Sequence, residues 1–178
     1  PSIIHNQPYL LAEHIAGVGF RTADRIATEN GIEANHPDRA DAAVRHLLRE
    51  AEGQGHCFLP RRELMERAVN LNIAADNCEA AIARLVLNGK LTAPPTVDAQ
   101  SQPLYAPALE RAERQVARRL LELALAHRDA PPASPPMLSR VEASARLTLN
   151  EDQRRAVLTA LTGGVTVITG GPGTGKTT

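Results

Sequence analysis

The chain has 178 residues, 43% of them apolar, with 20 Lys+Arg set against 20 Asp+Glu. That length can bury a core, and the zero formal net charge excludes a global field drawing the whole molecule onto nucleic acid or membrane, so any such binding has to be local. No apolar run approaches the roughly 20 residues of a membrane span, and no charged-then-apolar leader opens the sequence; a soluble, cytoplasmic protein is expected.

Two cysteines, Cys57 and Cys78, fit neither a disulfide framework nor a four-ligand zinc site, so both are expected as small apolar core residues. The aromatics are Tyr9, Phe20, Phe58 and Tyr105, too few for a surface of stacked bases. The chain opens at Pro1 and stops at Thr178, one residue past a phosphate-binding motif, which leads us to expect a piece of a longer protein.

The opening stretch QPYLLAEHIAGVGFRTADRIATENGI reads as two short helices around a tight turn. Pro8 suits a first helical turn, Leu10, Leu11, His14 and Ile15 recur at helical spacing, and Gly17 and Gly19 admit backbone angles that other residues resist. Phe20, Ala23, Ile26 and Ala27 share one face of the second helix, which Asn30 and Gly31 end. Segment IAGVGFRTADRIA fits a helix-hairpin-helix, in which hairpin N–H groups meet a DNA phosphate without reading sequence. Gly17 and Gly19 would make the contact, and Arg21 or Arg25 would add charge. Against this, residues 1–53 hold eight acidic side chains, Glu13 and Asp24 among them, and five arginines, so a hairpin that packs its neighbours or grips protein stays open.

A longer helix is expected over Asp38 to Glu52, with Ala43, Val44, Leu47, Leu48 and Ala51 inward. After the short apolar piece HCFL, Pro60 opens a helix through Val69, and Ala75 to Leu87 forms another that Asn88 and Gly89 close. Extended pieces KLTA and QPLYAP flank the loop PPTVDAQS. The order helix, strand, helix, helix, strand, strand is that of a winged helix. ALERAERQVARRLLELALAH forms a strong helix with Leu109, Val116, Leu120 and Leu123 inward and Leu121 and Ala124 flanking that face, and RDAPPASPP reads as a stiff linker. Arg111, Arg114 and Arg118, with Arg119 beside them, make either a basic binding face or a solvated one diluted by Glu110, Glu113 and Glu122; Arg61 and Arg62, next to Glu63 and Glu66, are ambiguous in the same way.

Beyond the linker, RLTLNEDQRRAVLTALTGG is a capped helix, and VTVIT, apolar and β-branched, reads as a central strand of a parallel sheet. Gly170 to Thr177 then match G-x-x-x-x-G-K-[ST] directly after that strand. Glycines let successive N–H groups surround phosphate oxygens, Lys176 reaches the β and γ phosphates, and the Thr177 hydroxyl ligates Mg²⁺. The chain has only two lysines, Lys90 and Lys176, and the second occupies the position where a compact ammonium is needed. Asn150 and Gln153 have capping-box spacing; alternatively the Gln153 amide faces an adenine edge.

These residues carry a resemblance. LTLNEDQRRAV followed by VTVITGGPGTGKTT resembles the start of the first RecA-like domain of superfamily-one DNA helicases. QPYLLAEHIAGVGFRTADRIA and the helical region ending YAPALERAERQVARRL are similar to the N-terminal region of RecD-like helicases, related to the exodeoxyribonuclease V alpha subunit. The resemblance implies a bacterial, ATP-dependent helicase of DNA repair or recombination that unwinds DNA 5′ to 3′. In it Gln153 contacts adenine; Gly171, Pro172, Gly173, Thr174, Gly175, Lys176, Thr177 and Thr178 bind ATP; Lys176 and Thr177 serve hydrolysis; and Thr177 holds Mg²⁺. The implied partners are DNA at a single-strand/duplex junction and single-strand-binding or other repair proteins.

The fold expected is mainly α: a helix-hairpin-helix over 1–35, a winged-helix-like helical domain over 36–108, a connecting helix over 109–128, a Pro-rich linker over 129–147, and over 148–178 the truncated start of a RecA-like P-loop α/β domain. Alone, these residues should be inactive, since the acidic strand end, arginine finger and second motor domain are not among them. A non-catalytic protein-docking arm of a P-loop ATPase is the alternative.

Overall fold

The computed structural model describes residues 7–15, 17–126, 135–162 and 164–174, and they are mainly helical. The chain divides into two units, Pro1–Glu113 and Arg114–Thr178.

In the first unit a single 3-10 turn at Pro8–Leu10 runs into α1 (Leu11–His14), and α2 follows at Phe20–Glu29. Phe20, Ala23 and Ala27 are the buried positions of α2, one stripe at helical spacing. Gly31, at φ +82°, carries the chain away beyond the Asn30 cap. Helix α3 (Pro37–Gly53) begins where a proline costs no hydrogen bond, and its first turn is capped by His36, whose Nδ1 accepts from the Asp38 N–H at 3.2 Å. Its buried face, from Ala40 through Val44, Leu47 and Leu48 to Ala51, makes it the central helix of the unit.

Strand β1 (Phe58–Pro60) pairs antiparallel with β2 (Pro103–Tyr105), setting Leu59 opposite Leu104. On the other side of β2, Thr92 and Tyr105 exchange both backbone hydrogen bonds, at 3.0 and 2.9 Å. Between the strands lie α4 (Arg61–Val69) and α5 (Ala75–Leu87), packed on α3 and on each other. Leu59, Leu64, Ile82, Leu85 and Leu104 are 2% exposed or less, and each such side chain stabilises the fold by roughly 1.5–3 kcal/mol.

Cys78 is buried in this core, but Cys57, expected there too, is exposed. It sits in the bend before β1, where the chain turns at the surface and no periodic face carries the side chain inward. Burial pushes the Cys78 thiol up to about 11, so it stays protonated and inert.

Helix α6 (Pro107–Ala126) begins in the first unit and ends in the second. The sequence places its apolar residues inward; instead none is buried, with Val116 58%, Leu120 46% and Leu121 61% exposed, and only Leu109 and Leu123 half-covered. Its Ala, Leu, Glu and Arg content forms the helix by propensity without a packed face.

In the second unit, α7 (Pro135–Ala145) lies where the sequence suggests only linker. Pro135 and Pro136 occupy its first turn, whose N–H groups have no intrahelical acceptor in any case, so the residues that look like breakers are starters. Residues 129–134 of the expected linker, and 127–128 at the end of the expected connecting helix, lie outside the described residues. Arg146, at φ +52°, ends α7, and α8 (Glu151–Thr162) follows. The VTVIT stretch, expected as a central strand, pairs with no other strand among the described residues, and Val167 and Ile168 stand 81% and 51% exposed. No described helix is long and apolar enough to cross a membrane.

Candidate functional site

Two places bring the expected site residues together. At the first, the hairpin between α1 and α2, Val18 N–H donates to Ile15 O at 3.1 Å and closes the turn. Gly17 holds φ +85°, a left-handed angle that a side chain would strain. Gly19 caps α2 in an extended conformation, and its carbonyl accepts from Thr22 and Ala23 at 3.1 and 3.2 Å. The N–H groups of Phe20 and Arg21 therefore open the first turn of α2, where the helix dipole is positive. A Cβ at Gly17 or Gly19 would meet nothing within 4 Å, so both glycines face open space. Arg21 and Arg25, one turn apart, are both exposed.

The acidic side chain between Arg21 and Arg25 is occupied by other partners. Asp24 accepts from Tyr9 Oη at 2.8 Å and from Arg39 Nε at 2.8 Å and Nη2 at 3.0 Å. Arg39 also donates to the carbonyls of Ala34, Leu71 and Asn72 at 3.2, 3.2 and 3.0 Å. One guanidinium thus ties the hairpin to α3 and to the loop after α4. Burial and the Asp24 carboxylate hold the Tyr9 hydroxyl well above its ordinary range, and the Asp24 hydrogen bond raises Arg39. Tyr9 stacks on Phe20 at 6.1 Å, and Phe20 on His46 of α3 at 5.6 Å. Burial lowers His46.

Arg61 and Arg62 are engaged locally. Arg61 pairs with Glu79 and donates to Gln102 Oε1 at 2.8 Å, while Arg62 donates to Glu66 at 2.9 Å. On α6, Arg119 donates to Glu122 at 3.2 Å, and Arg111, Arg114 and Arg118 are exposed.

The second place lies wholly within the second unit: a cleft of about 950 Å³ lined by Asn150, Gln153, Ala156, Ile168, Gly170 and Thr174 among others. The capping box forms, with Gln153 N–H donating to Asn150 Oδ1 and Asn150 N–H donating to Gln153 Oε1, both at 2.9 Å. The same Gln153 amide donates through Nε2 to Thr174 O at 3.4 Å and so reaches the glycine-rich loop. Gly173 turns that loop at φ +74°, and Thr174 Oγ1 donates to Gly171 O at 2.9 Å. Gly171, Pro172, Gly173 and Thr174 are thus placed beside Gln153; Gly175, Lys176, Thr177 and Thr178 lie outside the described residues.

Capping and base contact are chemically compatible at Gln153. A carboxamide oxygen accepts twice and its nitrogen donates twice. The described partners use one acceptor site, for Asn150, and one N–H, for Thr174. One of each matches the donor and acceptor edge of adenine, so the donor set fits a purine nucleotide.

Sequence reasoning missed two features. The Arg39–Asp24 pair joins residues fifteen apart and has no local signature. In the second unit, Glu142 is buried at 9% exposure; it pairs with Arg154, and one of its oxygens accepts from Leu149 N–H at 2.9 Å. Among the described residues no group of His, Cys, Asp and Glu could hold a metal ion.

Comparison with known proteins bears on the whole chain. Residues 1–58 match the family described as "ATP-dependent RecD2 DNA helicase HHH domain". The chain is 33% identical over 180 aligned positions, 92% of its length, to the ATP-dependent RecD2 DNA helicase of Deinococcus radiodurans, and covers 24% of that protein. It is 30% identical over 154 positions, 86% of its length, to the RecBCD enzyme subunit RecD of Mycolicibacterium smegmatis, covering 26% of it. Over 75 positions it is 48% identical to the RecD subunit of Mycobacterium tuberculosis. The chain therefore spans about a quarter or less of the curated relatives it matches.

Proposed function

Because the chain carries the N-terminal region of a RecD-like helicase, with an HHH domain at its start, we propose that it is the DNA-engaging arm and the nucleotide-entry segment of an ATP-dependent DNA helicase that moves 5′ to 3′. The observation that carries this reading is Gln153, whose one amide caps α8 and touches the glycine-rich loop in a shared cleft.

ATP with Mg²⁺ would supply the free energy of phosphoryl transfer. The chain's own part is to hold the base and phosphates. Gln153 offers an N–H and a carboxamide lone pair to the adenine edge. Gly171 to Gly175 would offer backbone N–H groups to the phosphates, Lys176 would balance their charge, and Thr177 and Thr178 would complete the loop, with the Thr177 hydroxyl available to hold the magnesium ion.

At the hairpin, the first-turn N–H groups of α2 and the exposed Arg21 and Arg25 bind a DNA phosphate irrespective of sequence. With Asp24 neutralised by Arg39, the local field at the α2 N-terminus is more favourable to an anion than the residue count of the region implies.

The region 36–108 is a winged helix in this reading. Its support is the element order together with the pairing of β2 to β1 on one side and to Thr92 on the other. This module grips protein rather than DNA, because the exposed residues of α5 are Ala75, Asp76, Glu79, Ala80, Ala83, Val86 and Leu87, while its Arg84 is paired with Asp41 at 2.6 Å. Changing Val86 and Leu87 to serine should leave DNA affinity unaltered; a marked loss would return the face to DNA.

A strand-displacement assay with the intact protein tests the main proposal. ATP should drive unwinding of a duplex with a 5′ single-stranded tail and not of one with only a 3′ tail. Unwinding confined to 3′ tails overturns the polarity, and none on either substrate overturns the helicase reading.

A further inference from the structure

Glu142 is the most deeply buried charged side chain among the described residues, and neither the hairpin nor the phosphate loop accounts for it. It belongs to α7, a helix that contributes nothing to the cleft lining. Its two carboxylate oxygens reach different parts of the neighbouring helix. Oε1 accepts from Leu149 N–H at 2.9 Å, one residue before the Asn150 cap, while Oε2 pairs with the Arg154 guanidinium, one residue after Gln153. Arg154 is held a second time to α7 through Ser139 Oγ at 3.2 Å. Leu147 N–H closes the connection by donating to the Glu142 carbonyl at 3.1 Å.

The carboxylate therefore clamps the start of α8 from both sides of the Asn150–Gln153 capping box. That box sets the rotamer of Gln153, and the same side chain touches Thr174 of the loop. A helix start is where a chain frays most readily, and a misplaced first turn would move the Gln153 amide relative to the loop.

We propose that Glu142, through Leu149 N–H and Arg154, is a positioning residue for nucleotide-base recognition: α7 acts as a bracket that fixes Gln153 against the phosphate loop, so that the site discriminates adenine from other bases. This inference rests on the reading of Gln153 as the adenine contact. Glu142 itself touches no nucleotide. Its effect on the base edge is transmitted through one backbone amide and one ion pair, as supporting residues around other sites orient the groups that make contact. Replacement by Gln keeps an acceptor for Leu149 N–H but removes the charge opposite Arg154. Replacement by Ala removes both.

The test measures equilibrium binding of fluorescent ATP and GTP analogues, with Mg²⁺, to the intact protein and to Glu142→Gln, Glu142→Ala, Arg154→Leu and Gln153→Ala. The wild-type protein should prefer ATP. Glu142→Ala should reduce that preference at least about fivefold, the lower end of ordinary coupling between sites, with Glu142→Gln intermediate. GTP affinity should change little, because the phosphate contacts are untouched. Glu142→Ala and Arg154→Leu should be non-additive, since both break one clamp.

A uniform loss of affinity for both nucleotides, or an unchanged ratio in Glu142→Ala while Gln153→Ala abolishes the preference, overturns the positioning role alone. An unchanged ratio in Gln153→Ala overturns the adenine reading beneath it. Far-ultraviolet circular dichroism and a thermal melt identify a variant that fails to fold. Should Glu142→Ala fail in that way, the folded Glu142→Gln carries the same test: a reduced ratio supports the role and an unchanged one contradicts it.

Discussion

Arg39 of α3 grips Asp24 of α2 through two parallel contacts, Nε to Oδ1 at 2.8 Å and Nη2 to Oδ2 at 3.0 Å, and the two side chains are only 11% and 20% exposed. A fork-to-fork pair of this kind fixes the angle between two elements as well as joining them. Removing one partner leaves the other covered and unbalanced, which costs more than the pair itself contributes. Arg39→Ala should lower unfolding free energy by about 2 kcal/mol, measured by urea titration. Asp24→Asn should cost less, because the amide still accepts from Arg39. Equal stability of wild type and Arg39→Ala contradicts the assignment of this pair as the joint of the hairpin.

Gly19 separates folding from DNA contact. It has φ −85°, an angle any residue adopts, and a Cβ there meets no protein atom within 4 Å. Gly19→Ala should therefore cost only about 0.5 kcal/mol of stability, the usual scale for an unfavourable cap. Its methyl group stands where a phosphate would approach the α2 N–H groups, so affinity for DNA should fall about fivefold, as for one lost hydrogen bond. Fluorescence anisotropy with a labelled oligonucleotide at fixed salt gives the answer; unchanged affinity removes the hairpin from the DNA interface.

His46 gives the first unit a pH dependence. Burial beside Phe20 lowers its folded value below the ordinary 6.5. Between the folded value and 6.5 the unfolded chain binds the proton and the native chain does not, so stability falls as pH drops through that window and levels off below it. His46→Gln should flatten this part of the stability–pH curve, read from thermal melts between about pH 7 and pH 5. A slope that survives the substitution assigns the effect to another group.

The two thiols should react very differently. Cys57 is exposed, whereas Cys78 is enclosed in the core with its thiol pushed up to about 11. A maleimide or aromatic disulfide reagent at neutral pH should label Cys57 in the native protein and Cys78 only after denaturant is added. Native labelling of both would mean that the packing of α5 against α3 opens readily.

The amphipathic helices were legible because their signals are local. Pro37, Pro60, Gly31 and Gly89 punctuate the chain, and Val44, Leu47 and Leu48, or Ile82 and Leu85, repeat at helical spacing. Where the outcome depends on long-range partners, the local signal does not decide it. VTVIT has strand composition, but a strand exists only with a neighbour to pair with, and the described residues hold none for it. The apolar stripe of α6 was expected inward by the same periodicity that correctly placed α3, yet periodicity says which residues share a face and not whether that face is covered. Pro135 and Pro136 misled in the opposite sense, since the same residue stiffens a linker and begins a helix. In the candidate site, the Asn150–Gln153 box followed from spacing. The Glu142 clamp did not, because a carboxylate seven and twelve residues from its partners has no pattern to betray it.

In the reading proposed above, these residues introduce an ATP-driven motor that acts on DNA. That reading is tested most directly by ATP hydrolysis in the intact protein with and without single-stranded DNA, for wild type and for Lys176→Ala. Hydrolysis should rise strongly on adding DNA and be lost, with or without DNA, when Lys176 is replaced, because no other residue of the loop carries a positive charge to the phosphates. Hydrolysis indifferent to DNA, or persisting in Lys176→Ala, would show that the loop does not power a DNA-stimulated motor.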